Sequence, residues 1–178
     1  MVKTVENAAY YVTAALIFIL MRVGFWLVGD KDLAFLLKPT DKLVGLLTGS
    51  DSVFIENAGY FHEKLNIIIG KSCSGFNFLM LSFLVFAWLA VKYFNKPLRK
   101  FLNIPIALIC AYLLAVFVNA SRILAAIAVQ NRMQFFFPGQ GNVIHEAVGI
   151  ITDLTFLVLA YYLIENFLKQ RGYNAKPA

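Results

Sequence analysis

The chain has 178 residues, of which 60% are hydrophobic and only 15% charged, with a formal net charge of +6 and a mean hydropathy of +0.71. Water-soluble domains are about 45–50% apolar and roughly 25% charged, so these proportions exclude a disordered chain, a collagen-like chain and a soluble globule. The two cysteines, Cys73 and Cys110, form neither a disulfide framework nor a zinc spacing, and the basic residues fall between apolar runs instead of along one nucleic-acid-binding face.

Taken in order, four stretches approach the roughly 20 apolar residues that cross about 30 Å of hydrocarbon. They cover about 8–28, 74–91, 104–129 and 143–164. The first carries Arg22, the third Arg122, and the fourth Glu146 and Asp153; the second has no charge. The first is too long for a signal peptide and ends in no small-x-small site, so it is expected to stay in the protein. Between the first two spans, Leu33 to Leu47 is broken by Lys38-Pro39 and Asp41-Lys42, which predicts an interfacial or re-entrant helix. The following "VFIENAGYFHEKLNIII" has two extended apolar pieces around the turn-forming Asn57-Ala58-Gly59, which predicts β structure or loop. The fold class expected is an all-α integral membrane protein: four transmembrane helices, one interfacial or re-entrant helix and a short β-like segment within 29–72, together a single membrane-embedded domain over 1–178.

Orientation follows from Lys and Arg in short loops. The 92–103 link holds Lys92, Lys96, Arg99 and Lys100 without an acid, and the tail holds Lys169, Arg171 and Lys176. That link and both termini are expected in the cytoplasm, with 29–72 and 130–142 outside. Trp26 and Trp88 fall near opposite span ends, as aromatic belts do.

This topology brings Cys73, Arg122 and His145 to one depth. Cys73 opens the second span and His145 the fourth, both at the outer end. Arg122 lies 18 residues beyond Ile104, a rise of roughly 27 Å at about 1.5 Å per residue. A thiol at a helix N-terminus meets unpaired N–H groups and the positive end of the macrodipole, a setting suited to a nucleophilic sulfur. Ser74 and Gly75 are small neighbours that leave the sulfur accessible. An intramembrane Arg by default marks a site; Arg122 has Asn119 one turn earlier on its face. Asp153 is aligned two turns below His145, placed to orient the ring through intermediates or to pair with Arg22. Glu146 points elsewhere on the wheel. Cys110 reads as mid-span packing, His62 as an exposed loop residue beside Glu63, and Phe135-Phe136-Phe137-Pro138 as a membrane anchor.

"CSGFNFLMLS" opening one span, "NASRI" late in the next and "HEAVGI" opening the last resemble the three signature blocks of the exosortase/archaeosortase family, over about Leu43 to Ile164. The chain is shorter than typical members and is similar to a compact form, exosortase K; Phe76 and Asn77 depart from what many members carry after the CSG. The resemblance implies a membrane-embedded cysteine transpeptidase with Cys73 as nucleophile, Arg122 as stabilising cation and His145 as acid and base. It implies a site on the extracytoplasmic side of a prokaryotic cytoplasmic membrane and neither metal nor organic cofactor. The implied partners are the lipid bilayer and an exported protein ending in a short motif, a transmembrane helix and a basic tail, which is cleaved and passed to a surface acceptor; no nucleic acid is involved. Two other readings compete with it. One is a Cys-dependent acyltransferase with a lipid donor. The other is a non-enzymatic scaffold or transporter subunit in which Arg122 pairs with Asp153.

Overall fold

A computed structural model describes residues 2–94, 96–133 and 141–174. In chain order it has α1 (Val2–Leu27), α2 (Ala34–Thr48), strands β1 (Val53–Ile55), β2 (Gly59–His62) and β3 (Ile67–Ile69), then α3 (Phe76–Tyr93), α4 (Pro97–Met133) and α5 (Gly141–Asn174). Short 3-10 turns occupy Glu63–Leu65 and Lys71–Cys73. Four helical segments, Asn7–Leu27, Lys71–Tyr93, Pro97–Gln130 and Val143–Gln170, are long and apolar enough to cross a membrane. The last three contain the expected spans 74–91, 104–129 and 143–164 and extend past them, and the first overlaps the expected 8–28 but ends one residue short of it. The expected 92–103 loop shrinks because α3 continues to Tyr93 and α4 begins at Pro97, a proline at the helix start where its missing N–H is not needed. The Phe135–Pro138 run lies outside the described residues.

The chain divides into two compact units. One comprises Met1–Trp26, Asn77–Leu114 and Leu157–Ala178; the other comprises Leu27–Phe76 and Ala115–Phe156. In the first, Arg22 Nη1 donates to Asn77 Oδ1 at 3.2 Å. Glu165 Oε1 accepts from Lys92 Nζ at 2.9 Å and Tyr93 Oη at 2.8 Å. The helix faces without protein neighbours are apolar, with Leu16, Leu20, Val23 and Trp26 all exposed, as suits a hydrocarbon solvent. Cys110 is exposed too; it lies on an outer face of α4 and does not pack in the interior.

The second unit is built on a three-stranded antiparallel sheet of order β1-β2-β3. The β1–β2 turn passes through Asn57, at φ +62°, and Gly59, at φ +108°, which confirms a turn at Asn57-Ala58-Gly59. The sheet's edge at Gly59 and Gly70 is so close that a Cβ on Gly70 would stand 2.3 Å from the Ala58 carbonyl oxygen. Helix α2 buries Leu36, Leu37, Thr40, Asp41 and Val44, an i, i+1, i+4, i+5, i+8 stripe, while Phe35, Lys38, Lys42 and Leu46 stay exposed. It ends at Gly49, in the left-handed conformation, whose N–H bonds the Gly45 carbonyl. The apolar stripe of α2 is therefore covered by protein, with His62 of β2 against it.

His62 corrects the sequence expectation. It is 1% exposed, with Nδ1 2.8 Å from Ser50 Oγ and Nε2 2.9 Å from Asp41 Oδ1. Ser50 Oγ in turn lies 2.8 Å from Thr48 Oγ1. An unpaired imidazole in such a place would cost a full desolvation penalty; Ser50 hydrogen-bonds Nδ1 and the Asp41 carboxylate stands beside Nε2 within ion-pair distance.

Candidate functional site

The route from β3 to α3 fixes Cys73. Lys71 N–H donates to Asp30 Oδ1 and Lys71 Nζ to the Val28 carbonyl, each at 2.6 Å, so the segment before the cysteine is tied to the chain that follows α1. Cys73 ends a 3-10 turn, and α3 starts at Phe76. The thiol thus stands just ahead of the helix N-terminus and not within its first turn.

Ser74 and Gly75 do more than leave room for the sulfur, and they are not accessible spacers. Ser74 is 2% exposed, and its Oγ accepts from the Phe76 N–H at 3.4 Å, a capping contact at the start of α3. Gly75 has φ +71°, and a Cβ there would lie 3.0 Å from Cβ and Cγ of Asn119. Asn119 uses that closeness: its Nδ2 donates to the Cys73 carbonyl at 2.6 Å. It lies three residues before Arg122 on α4.

The three residues expected to meet do line one chamber. A cavity of about 410 Å³ is bounded by Ser72, Cys73, Arg122, His145, Glu146, Gly149, Ile150 and Asp153. Cys73 Sγ and His145 Nε2 are 3.8 Å apart, a sulfur hydrogen-bonding distance. Arg122 Nη1 is 3.5 Å from Asp153 Oδ2, and Arg122 Nε is buried with no hydrogen-bond partner among the described residues. The partner of Asp153 is therefore Arg122 and not Arg22, which bonds Asn77. Phe117 of α4 and Phe156 of α5 are in edge-on contact with ring centroids 5.7 Å apart.

Two contributors escaped sequence reasoning. Gly149 is buried, and a Cβ there would be 3.3 Å from Arg122 Cδ; the α5 backbone is the wall against which the arginine stem lies. Glu146 also borders the chamber, contrary to its expected direction. Both follow from one helical face, since 146, 149, 150 and 153 are spaced i, i+3, i+4, i+7, with His145 at its edge. The signal that was available was the spacing of Gly149, four residues from both His145 and Asp153.

Chemically, the chamber offers a thiol beside an imidazole and a guanidinium beside a carboxylate. Among the described residues no three His, Cys, Asp or Glu side chains are grouped so as to hold a metal ion. Compared with known proteins, the chain matches no family model, no curated protein and no solved structure.

Proposed function

We propose that this is a membrane-embedded cysteine peptidase or transpeptidase of the exosortase/archaeosortase kind, acting at the extracytoplasmic face of a prokaryotic cytoplasmic membrane. The observation that carries the proposal is the 3.8 Å approach of Cys73 Sγ to His145 Nε2 in a chamber also lined by Arg122. A nucleophile and a base within reach, with a cation facing the same space, are what acyl transfer requires.

The thiol proton passes to His145 Nε2 as Sγ attacks a substrate peptide carbonyl, forming the S–C bond. The oxyanion that develops is met by Arg122, whose Nη groups supply oriented donors in a partly enclosed site. Collapse breaks the C–N bond, and His145 returns the proton to the departing amine, leaving a thioester on Cys73. Water, or the amine or hydroxyl of an acceptor, then loses a proton to His145 and attacks the thioester carbonyl. The S–C bond breaks and the thiol is regenerated. Asp153 acts as a positioning residue that holds the guanidinium; Asn119 and Gly75 position Cys73 through its carbonyl and the turn. The substrate class is an exported protein with a C-terminal motif, an apolar helix and a basic tail.

The test is processing of a co-expressed substrate of that form by Cys73→Ala protein, with membrane insertion and thermal stability monitored alongside. Loss of processing by a folded protein, and capture of a peptidyl adduct on Cys73 in the wild type, are expected. Undiminished processing overturns the proposal, and a lipid adduct on Cys73 would assign a lipid-donor acyltransferase in its place. The 3.5 Å Arg122–Asp153 pair favours a second reading, a non-enzymatic scaffold or transporter subunit. On that reading Cys73→Ser has no effect, while Arg122→Ala loses folded protein.

A further inference from the structure

Cys73 and His145 border a second cavity of a different character. It measures about 40 Å³ and is lined by Ile67, Ile68 and Ile69 of β3, by Ile123, Ala126, Ile127 and Gln130 of α4, and by Cys73 and His145 themselves. The α4 contributors are spaced i, i+3, i+4, i+7, one face of the helix, continuing from Asn119 and Arg122 along the same side. The face thus changes from polar to aliphatic just past the reacting pair. Among the described residues no Asp, Glu, Lys or Arg borders the crevice, whose polar neighbours are Gln130 and the Cys73–His145 pair.

Building on the thioester reading, we propose that this crevice is a specificity pocket for the acyl-donor residue, the one whose carbonyl Cys73 attacks, and that it takes a small aliphatic side chain of one to three carbons. Size and polarity both point there. A water-sized group needs roughly 10–15 Å³ of such free space, so the crevice accommodates about three heavy atoms, the isopropyl group of valine at most. Ile69 is 1% exposed, Ile123 4% and Ala126 2%, so these walls are seated in the interior and cannot open for an aromatic ring without repacking. A carboxylate or ammonium would enter a mostly aliphatic crevice with no Asp, Glu, Lys or Arg among its described lining residues, which is unfavourable. Because both reacting side chains edge this crevice as well as the 410 Å³ chamber, a substrate carbonyl poised over Cys73 directs its own side chain to the apolar side. Arg122 and Asp153 remain on the other.

The experiment uses full-length protein carrying Cys110→Ser in detergent micelles, with N-acetyl-aminoacyl chloromethyl ketones of Gly, Ala, Val, Leu, Phe and Asp. In each, the Cys73 sulfur displaces chloride from the methylene carbon: an S–C bond forms, the C–Cl bond breaks with its electron pair leaving on chloride, and the thiol proton goes to His145. The labelling rate at Cys73 is read by mass spectrometry and divided by the rate with iodoacetamide, which has no side chain to place. A methylene in an apolar pocket is worth 10–200-fold in discrimination; Ala and Val reagents are expected to react at least about tenfold faster than Gly, Phe and Asp. Ala126→Val, which narrows the crevice, should lower the Val-to-Ala ratio by about tenfold. Ile127→Ala, which widens it from a half-exposed position, should raise the Leu-to-Ala ratio by a similar factor. Equal rates for all six reagents, or Phe fastest, overturn the pocket while leaving Cys73 a nucleophile. Failure of every reagent to label Cys73, iodoacetamide included, overturns the thioester reading and the pocket with it. The wild-type profile alone decides if Ala126→Val does not fold.

Discussion

The backbone at Gly75 packs tightly on Asn119, and replacing the glycine by alanine tests whether the loop bearing Cys73 is held as described. The new Cβ would meet two obstacles. At φ +71° an L-residue sits in the left-handed region, at a cost of about 1–2 kcal/mol. The Cβ would also stand 3.0 Å from Cβ and Cγ of Asn119, and forcing an added carbon into a packed site costs a further 1–3 kcal/mol or so. Asn119 has little freedom to move aside, being 2% exposed and bonded to the Cys73 carbonyl at 2.6 Å. Gly75→Ala is therefore expected to be about 2–5 kcal/mol less stable than the wild type, read from reversible unfolding in mixed micelles by circular dichroism. Asn119→Ala removes Cγ but keeps Cβ, so the double variant should lose less than the sum of the singles, by about 0.5–3 kcal/mol. A Gly75→Ala protein within about 0.5 kcal/mol of the wild type, the size of an ordinary surface change, refutes the reasoning, as does strict additivity.

Three further outcomes can be checked independently. Arg122→Lys keeps the charge but loses the planar donor fork; substrate processing should fall roughly 10²–10³-fold, as for loss of an oxyanion donor, with normal amounts of folded protein, and full processing would remove Arg122 from the chemistry. Asp41→Ala strips His62 Nε2 of its 2.9 Å partner, which should cost about 1–3 kcal/mol and speed hydrogen exchange at the β2 amides; unchanged protection counts against a structural role for the pair. Gly70→Ala would put a Cβ 2.3 Å from a backbone oxygen, a contact no rotamer relieves, so no monodisperse protein is expected on size exclusion. Recovery of well-behaved Gly70→Ala protein would show that the turn and the strand end do not approach so closely.

Much of the helical framework was legible because a membrane-crossing helix needs a long apolar run, and such runs are hard to mistake for anything else. Their ends were less legible. Lys92, Lys96, Arg99 and Lys100 mark where hydrocarbon should stop, but charge does not stop a helix, and α4 takes Pro97 as its first residue. The meeting of Cys73, Arg122 and His145 was legible from depth alone, since rise per residue is fixed. The partner of Asp153 was not, because it depends on how α4 and α5 are rotated, which the close approach of Gly149 to the Arg122 stem reflects. His62 was misjudged for a related reason. Its neighbour Glu63 is exposed, whereas the groups that enclose it, Ser50 and Asp41, are 12 and 21 positions away in the sequence.

The length of α4 has its own consequence. Its 37 residues are nearly twice the roughly 20 that reach across hydrocarbon, so in a bilayer about 17 must stand among headgroups or in water. Tilting absorbs only part of that excess. If the proposed function holds, that overhang is what would let Asn119 and Arg122 work in a hydrated layer although they belong to a helix long and apolar enough to cross a membrane.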